Sequence, residues 1–136
     1  MIINFTQHTG TPEQGVSEIV PTVTRRKLLT FKFLPTVREL EWRANDCIIT
    51  LVYRLTGDAY FLYKNEPLKD IKVMIGGAPY FMPVLDRAIR KAGGIPVYAF
   101  SIRESVETTD PETGTVTKSM IFRHLGFVGG EYSKVD

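Results

Sequence analysis

Ile71-Lys72-Val73-Met74-Ile75-Gly76-Gly77-Ala78-Pro79, read on through Gly93-Gly94 to Pro96-Val97-Tyr98-Ala99-Phe100, decides the fold class. The opening run is apolar and of strand length, and the Gly-Gly-Ala-Pro stretch interrupts it. Met82, Leu85, Ala88, Ile89 and Ala92 then recur at helical spacing, and Gly93-Gly94 ends the pattern. Pro83 is tolerated because it falls in the first turn of a helix starting near Tyr80. A second strand follows at Pro96 to Phe100. Strand, helix and strand over about thirty residues make a βαβ unit, whose crossover is right-handed and whose strands are parallel.

Working outward, residues 102–109 and 115–128 read as two further strands. Asp110-Pro111-Glu112-Thr113-Gly114 joins them, with proline early and glycine late as a turn requires. A β-hairpin therefore follows the parallel core. Toward the amino terminus, Val37, Leu40, Ala44, Cys47, Ile48, Leu51, Val52 and Leu55 form one apolar stripe of a helix that begins after Thr36 and ends before Gly57. Within it, 48–53 is rich in β-formers, yet the stripe keeps it helical. Thr11-Pro12-Glu13-Gln14 has the threonine, proline and glutamine of a capping box and predicts a short helix. A loop or single helical turn carries Arg25-Arg26-Lys27, and Ile2-Ile3-Asn4-Phe5-Thr6 is a first strand. The expectation is one α/β domain over 1–128, Rossmann-like, with three layers and a mixed sheet, and a loose tail over 129–136.

The chain has 136 residues, 43% of them apolar and 11% aromatic, enough to bury a core. Seventeen basic against fifteen acidic residues leave a formal charge of +2, too small and too mixed to imply duplex nucleic acid as a partner. The single cysteine, Cys47, excludes a disulfide framework and a multi-cysteine zinc site, and the two histidines are far apart in sequence. No metal and no other cofactor is expected. No apolar run approaches the about 18 residues of a membrane span, and the start lacks the regions of a signal peptide, so a cytoplasmic protein is expected.

Ligands of open α/β sheets bind beyond the carboxyl ends of the parallel strands. Three segments should meet there: Asn4, Thr6, Gln7 and His8; Gly76, Gly77 and Ala78 before Pro79; and Ser101 with Arg103 and Ser105. Paired glycines ahead of a helix let backbone N–H groups approach an anion, though the same turn also serves as a plain connection. His8 sits in a polar run and suits proton transfer, or is an exposed loop histidine. His124 shares a strand face with Met120 and Phe122, as a site residue or a satisfied structural one. Arg103 and Arg123 either hold phosphate from facing strands or pair with Glu104 and Glu107. Arg25-Arg26-Lys27 reads as a solvated face, and Trp42, off the main stripe, as a partner surface.

Asn4-Phe5-Thr6-Gln7-His8 followed by Thr11-Pro12-Glu13-Gln14 resembles the start of small CRISPR-associated Rossmann-fold proteins of the ring-nuclease group. Over most of its length the chain also resembles a family of uncharacterised phage and prophage proteins, through the segments 74–79 and 122–128. The first resemblance implies a homodimer that binds a cyclic oligonucleotide second messenger across its interface. Some such proteins cleave it without metal by driving a ribose 2′-hydroxyl onto the adjacent phosphate. On that reading His8, Ser101 and Arg103 are catalytic, and Asn4, Thr6, Gln7, Gly76, Gly77, Ala78, Ser105, Arg123 and His124 bind the ligand. The alternatives are a non-catalytic sponge for the same ligand, and a phage protein-interaction module with no small-molecule ligand.

Overall fold

The computed structural model describes residues 1–58 and 65–129. Its elements in chain order are β1 (Ile2–Phe5), α1 (Thr22–Leu29), α2 (Val37–Thr56), β2 (Lys72–Ile75), α3 (Met82–Lys91), β3 (Ile95–Thr109) and β4 (Val116–Val128). The fold is α/β: one four-stranded mixed sheet in the order β1-β2-β3-β4, with three helices among the described residues. β1, β2 and β3 are parallel, with Ile3 beside Val73, Phe5 beside Ile75 and Met74 beside Val97, and β4 runs antiparallel to β3. No helix among the described residues is long and apolar enough to cross a membrane.

Strand alternation divides the buried residues between two faces. Ile3, Phe5, Val73 and Ile75 join one cluster with Leu29 of α1, the Leu40 to Val52 stripe of α2, and Leu85 and Ile89 of α3. Met74, Ile95 and Val97 form a smaller cluster on the opposite face, covered by Ile2, Val16 and Phe127. Every described helix thus packs on one side, and the expected third layer is not found among the described residues. The strand order explains this: strands that follow chain order, joined by right-handed crossovers, put all their helices on one face. A second helical layer requires the order to reverse.

α2 begins where expected. The Thr36 hydroxyl accepts a hydrogen bond from the Glu39 N–H at 3.1 Å, and Gly57, left-handed at φ 72°, donates its N–H to the Tyr53 carbonyl at 2.7 Å. Trp42 stays exposed beside Arg38.

Three expectations are corrected. The Thr11–Gln14 box forms, with the Thr11 N–H donating to Gln14 Oε1 at 3.0 Å and the Gln14 N–H approaching the Thr11 hydroxyl at 3.4 Å. It closes a turn over 12–15 and no helix, because Gly15 turns left-handed at φ 62° before a second turn can be added. The chain then returns along the free edge of β1, where Ser17 bridges Ile3. Next, Arg25 belongs to a two-turn helix, α1, and is fully buried, so the basic run is no solvated face at that position. Finally, the strand at 96–100 and the first hairpin strand are one continuous β3, whose register with β4 shifts between Phe100 and Ser101, where Leu125 is the extra residue of a bulge on β4. Beyond that bulge β3 and β4 pair with each other as a two-stranded arm. Of the expected tail, only Gly129 is described. It is buried at φ 117°, and a Cβ there would meet the Pro96 carbonyl oxygen at 2.7 Å.

Candidate functional site

At the carboxyl ends of β1, β2 and β3 lies an open cleft of about 570 Å³. Its walls come from the loop after β1 (Thr6, Gln7, His8, Thr9, Thr11 and Gln14), the end of β2 (Met74, Ile75, Gly76 and Gly77) and Tyr98 and Ala99 of β3. Because the strand order does not reverse, diverging helices cannot open a crevice here. The long loop between β1 and α1 makes the wall instead.

That loop is held from below by Asn4, which is fully buried at the end of β1. Its Oδ1 accepts from the Thr6 N–H at 3.0 Å and from the Thr6 hydroxyl at 2.8 Å, and its Nδ2 donates to the His8 carbonyl at 2.8 Å. The same Nδ2 reaches the Glu18 carboxylate at 2.9 Å, which also accepts from the Gly10 N–H at 2.7 Å and from Arg25 at 2.9 Å. Arg26 donates its Nε to the Gln7 carbonyl at 3.0 Å. Burial opposes the charge on Glu18, but the Gly10 N–H, the Asn4 amide and the Arg25 guanidinium outweigh it and hold the carboxyl below its ordinary range. Asn4 therefore positions the cleft wall and does not line it. Glu18 is a lone charge in an otherwise uncharged stretch and Arg25 belongs to an ordinary-looking basic run, so no local pattern marks the pair on which that wall depends.

The cleft brings together Thr6, Gln7, His8, Gly76 and Gly77 of the expected set. His8 is exposed, and its imidazole makes no hydrogen bond to another described residue. The two glycines keep the floor low: a Cβ at Gly76 would stand 3.5 Å from Thr6 Cγ2, and one at Gly77 3.2 Å from the Met82 methyl. Ala78 turns away, packing against the core while its carbonyl accepts from the N–H groups of Phe81 and Met82 at the start of α3. Among the described residues no carboxylate lines the cleft, and hydroxyl, amide and imidazole groups are its polar chemistry. Tyr98, which borders it, gives its hydroxyl to Asp86 at 2.6 Å; burial and that carboxylate push its ionisation well above the ordinary phenol range.

Ser101 and His124 lie elsewhere. They face each other across β3 and β4 and line a second groove of about 390 Å³ with Thr11, Pro12, Glu13, Gln14 and Phe122. Thr11 and Gln14 border both spaces, so the turn is a shared wall. Arg103, Ser105 and Arg123 line neither. Arg103 lies over the Phe122 ring, Arg123 pairs with Glu104 at 3.1 Å, and Ser105 stands opposite Met120 on the arm. The structure thus separates His8 from Ser101 by the turn and leaves Arg103 outside both grooves. Thr9 also lines the cleft, as do Thr11 and Gln14, whose turn signal reads in the sequence as a helix start.

Among the described residues no three His, Cys, Asp or Glu side chains converge to hold a metal ion. Cys47 is no nucleophile candidate: it is buried in the core on α2, and burial pushes its thiol up to about 12. Native protein at pH 8 should therefore resist iodoacetamide for hours and alkylate fully once unfolded. Rapid labelling of the native chain, read by mass spectrometry, would put Cys47 back among the reactive groups.

Comparison with curated proteins and with solved structures returned no match. The model of a family described as the uncharacterized protein MJ1673 family covers residues 1–128, and with them every described strand and helix and both grooves. The chain belongs to the uncharacterized protein MJ1673 family.

Proposed function

We propose that this chain is a nucleotide second-messenger-binding protein with a Rossmann-like domain, which acts in the cytoplasm as a homodimer and cleaves a cyclic oligonucleotide in the manner of a metal-independent ring nuclease. The observation that carries the reading is the cleft at the ends of three parallel strands. Among the described residues it offers glycine backbone, hydroxyl and amide groups and one uncommitted imidazole, and no carboxylate to repel phosphate. In the proposed step the ribose 2′-oxygen bonds to the adjacent phosphorus, the bond from phosphorus to the 5′-oxygen breaks, and a linear product with a 2′,3′-cyclic phosphate results. His8 takes the 2′-hydroxyl proton or returns one to the leaving oxygen, and the Gly76-Gly77 floor holds the phosphate in line. On this proposal, the resemblance of the amino-terminal motif to the ring-nuclease group suggests a role in antiviral signalling of the CRISPR type, in a phage or its host.

A dimer fits the arm. Met120, Leu125 and Phe100 are exposed on a two-stranded ribbon, which in isolation is only marginally stable in water. The separation of Arg103 from His8 favours one second reading, a sponge that holds the same ligand without turnover.

The test is incubation of the purified protein, with no metal added, with cyclic di-, tri-, tetra- and hexanucleotides, followed by denaturation and mass spectrometry. Linear products ending in cyclic phosphate are expected. Intact ligand carried by the protein establishes the sponge, and a panel neither bound nor converted overturns the nucleotide reading.

A further inference from the structure

The second groove carries features that the first cleft does not explain. Phe122, at the middle of β4, is 68% exposed and borders this cavity. The Arg103 guanidinium lies 5.3 Å from the centre of that ring, yet Arg103 does not line the groove. The ring itself borders the groove beside His124 and Ser101. His124, beside it, packs edge-on against Phe127 with ring centres 4.9 Å apart, and its buried Nδ1 has no hydrogen-bond partner among the described residues. An unpaired buried nitrogen costs stability, and a purely structural histidine would be expected to satisfy it. Across the groove stands Glu13, a carboxylate that accepts N–H groups, and Ser101 adds a hydroxyl that donates and accepts.

A flat stacking surface, one acceptor-only group and one two-way group are the requirements of a heteroaromatic ring with amino or ring N–H groups on its edge. We propose that this groove is a nucleobase subsite, with the base stacked on Phe122 and its N–H edge read by Glu13. The sugar phosphate crosses the shared Thr11–Gln14 wall into the first cleft. The proposal rests on the reading of the first cleft as a nucleotide site and assigns Phe122 and Glu13 within it.

Titration calorimetry with adenosine 5′-monophosphate and with ribose 5-phosphate, on wild-type protein and on Phe122→Ala and Phe122→Trp, tests it. The side chain is exposed, so both variants keep the core. Stacking losses per base put the expected weakening of the nucleotide by Phe122→Ala on the order of ten-fold or more, with ribose 5-phosphate unchanged. Phe122→Trp, which keeps an aromatic plane, should restore nucleotide binding. Unchanged nucleotide affinity in Phe122→Ala, or an equal loss of both ligands, overturns the subsite while ribose 5-phosphate binding by the wild type leaves the first cleft standing. Wild-type protein that binds neither ligand overturns both readings.

Discussion

Replacing His8 with alanine should lower the turnover of a cleaved cyclic oligonucleotide by about 10²–10⁴-fold, the usual contribution of a positioned general acid or base. Ligand affinity should change only a few-fold. The expectation follows from where the side chain sits. The loop is fixed through the His8 backbone, whose carbonyl accepts from Asn4 and whose N–H reaches the Thr6 hydroxyl, while the ring borders the cleft from an exposed position with no hydrogen-bond partner among the described residues. Removing the ring therefore leaves the wall in place and takes away a proton carrier. Single-turnover rates and equilibrium binding, measured on the same preparation, separate the two effects. Equal losses in rate and affinity would make His8 a ligand contact, and an unchanged rate would remove it from the chemistry.

The largest effect on stability should come from Glu18→Gln. Arg25 is fully buried, and its guanidinium is held by the Glu18 carboxylate at 2.9 Å, the Asn4 carbonyl at 3.2 Å and the Thr22 hydroxyl at 2.7 Å. Its Nε finds no partner, so the carboxylate is the only charge that compensates this cation among the described residues. Breaking a buried pair by removing one partner strands the other charge in a medium that solvates it poorly. The cost of such a change is about 3–5 kcal/mol for a fully buried pair, and about 2–3 kcal/mol is expected here because the Glu18 side chain is partly open to water. For a chain of this size that corresponds to a fall in Tm on the order of 10 °C. A melting temperature within a degree or two of wild type would show that the ion pair contributes nothing net.

The same carboxylate gives the fold an acid limit. Its ionisation lies below the 4.5 of an unperturbed glutamate, so the stability it supplies is fully present above that pH. It is lost as pH falls through the lower, folded-state value, where the native protein must take up a proton and give up the pair. Glu18→Gln should flatten the acid limb of the stability curve. Because Glu18 also ties Gly10 and Asn4 together, the variant should loosen the wall of the cleft before the whole domain unfolds.

The α2 stripe was readable because a helix that packs one face on a core must repeat its apolar residues at that spacing, and Thr36 and Gly57 mark its ends by local backbone chemistry. The same holds for the unit from β2 through α3 to β3, and for the meeting of His8 with Gly76 and Gly77, since parallel strands necessarily bring their ends together. The capping box at Thr11 was read correctly as a set of hydrogen bonds and incorrectly as a helix. One turn is a costly nucleus, and only the residues after it decide whether it grows. Arg25 was misplaced because burial of an arginine depends on a carboxylate seven residues earlier and a carbonyl 21 residues earlier in the chain, and no local pattern encodes that pairing.

By itself, then, the sequence determined the α/β class, the principal helix and which strand ends would gather, because these follow from periodicity and from backbone preferences within a few residues. Tertiary structure alone decided that all the described helices share one face and that Arg103 stays on the arm while Ser101 joins His124 in a separate groove. Strand order and the register shift between β3 and β4 set those placements. Each depends on residues far apart in the chain, whose meeting is fixed only when the whole core closes.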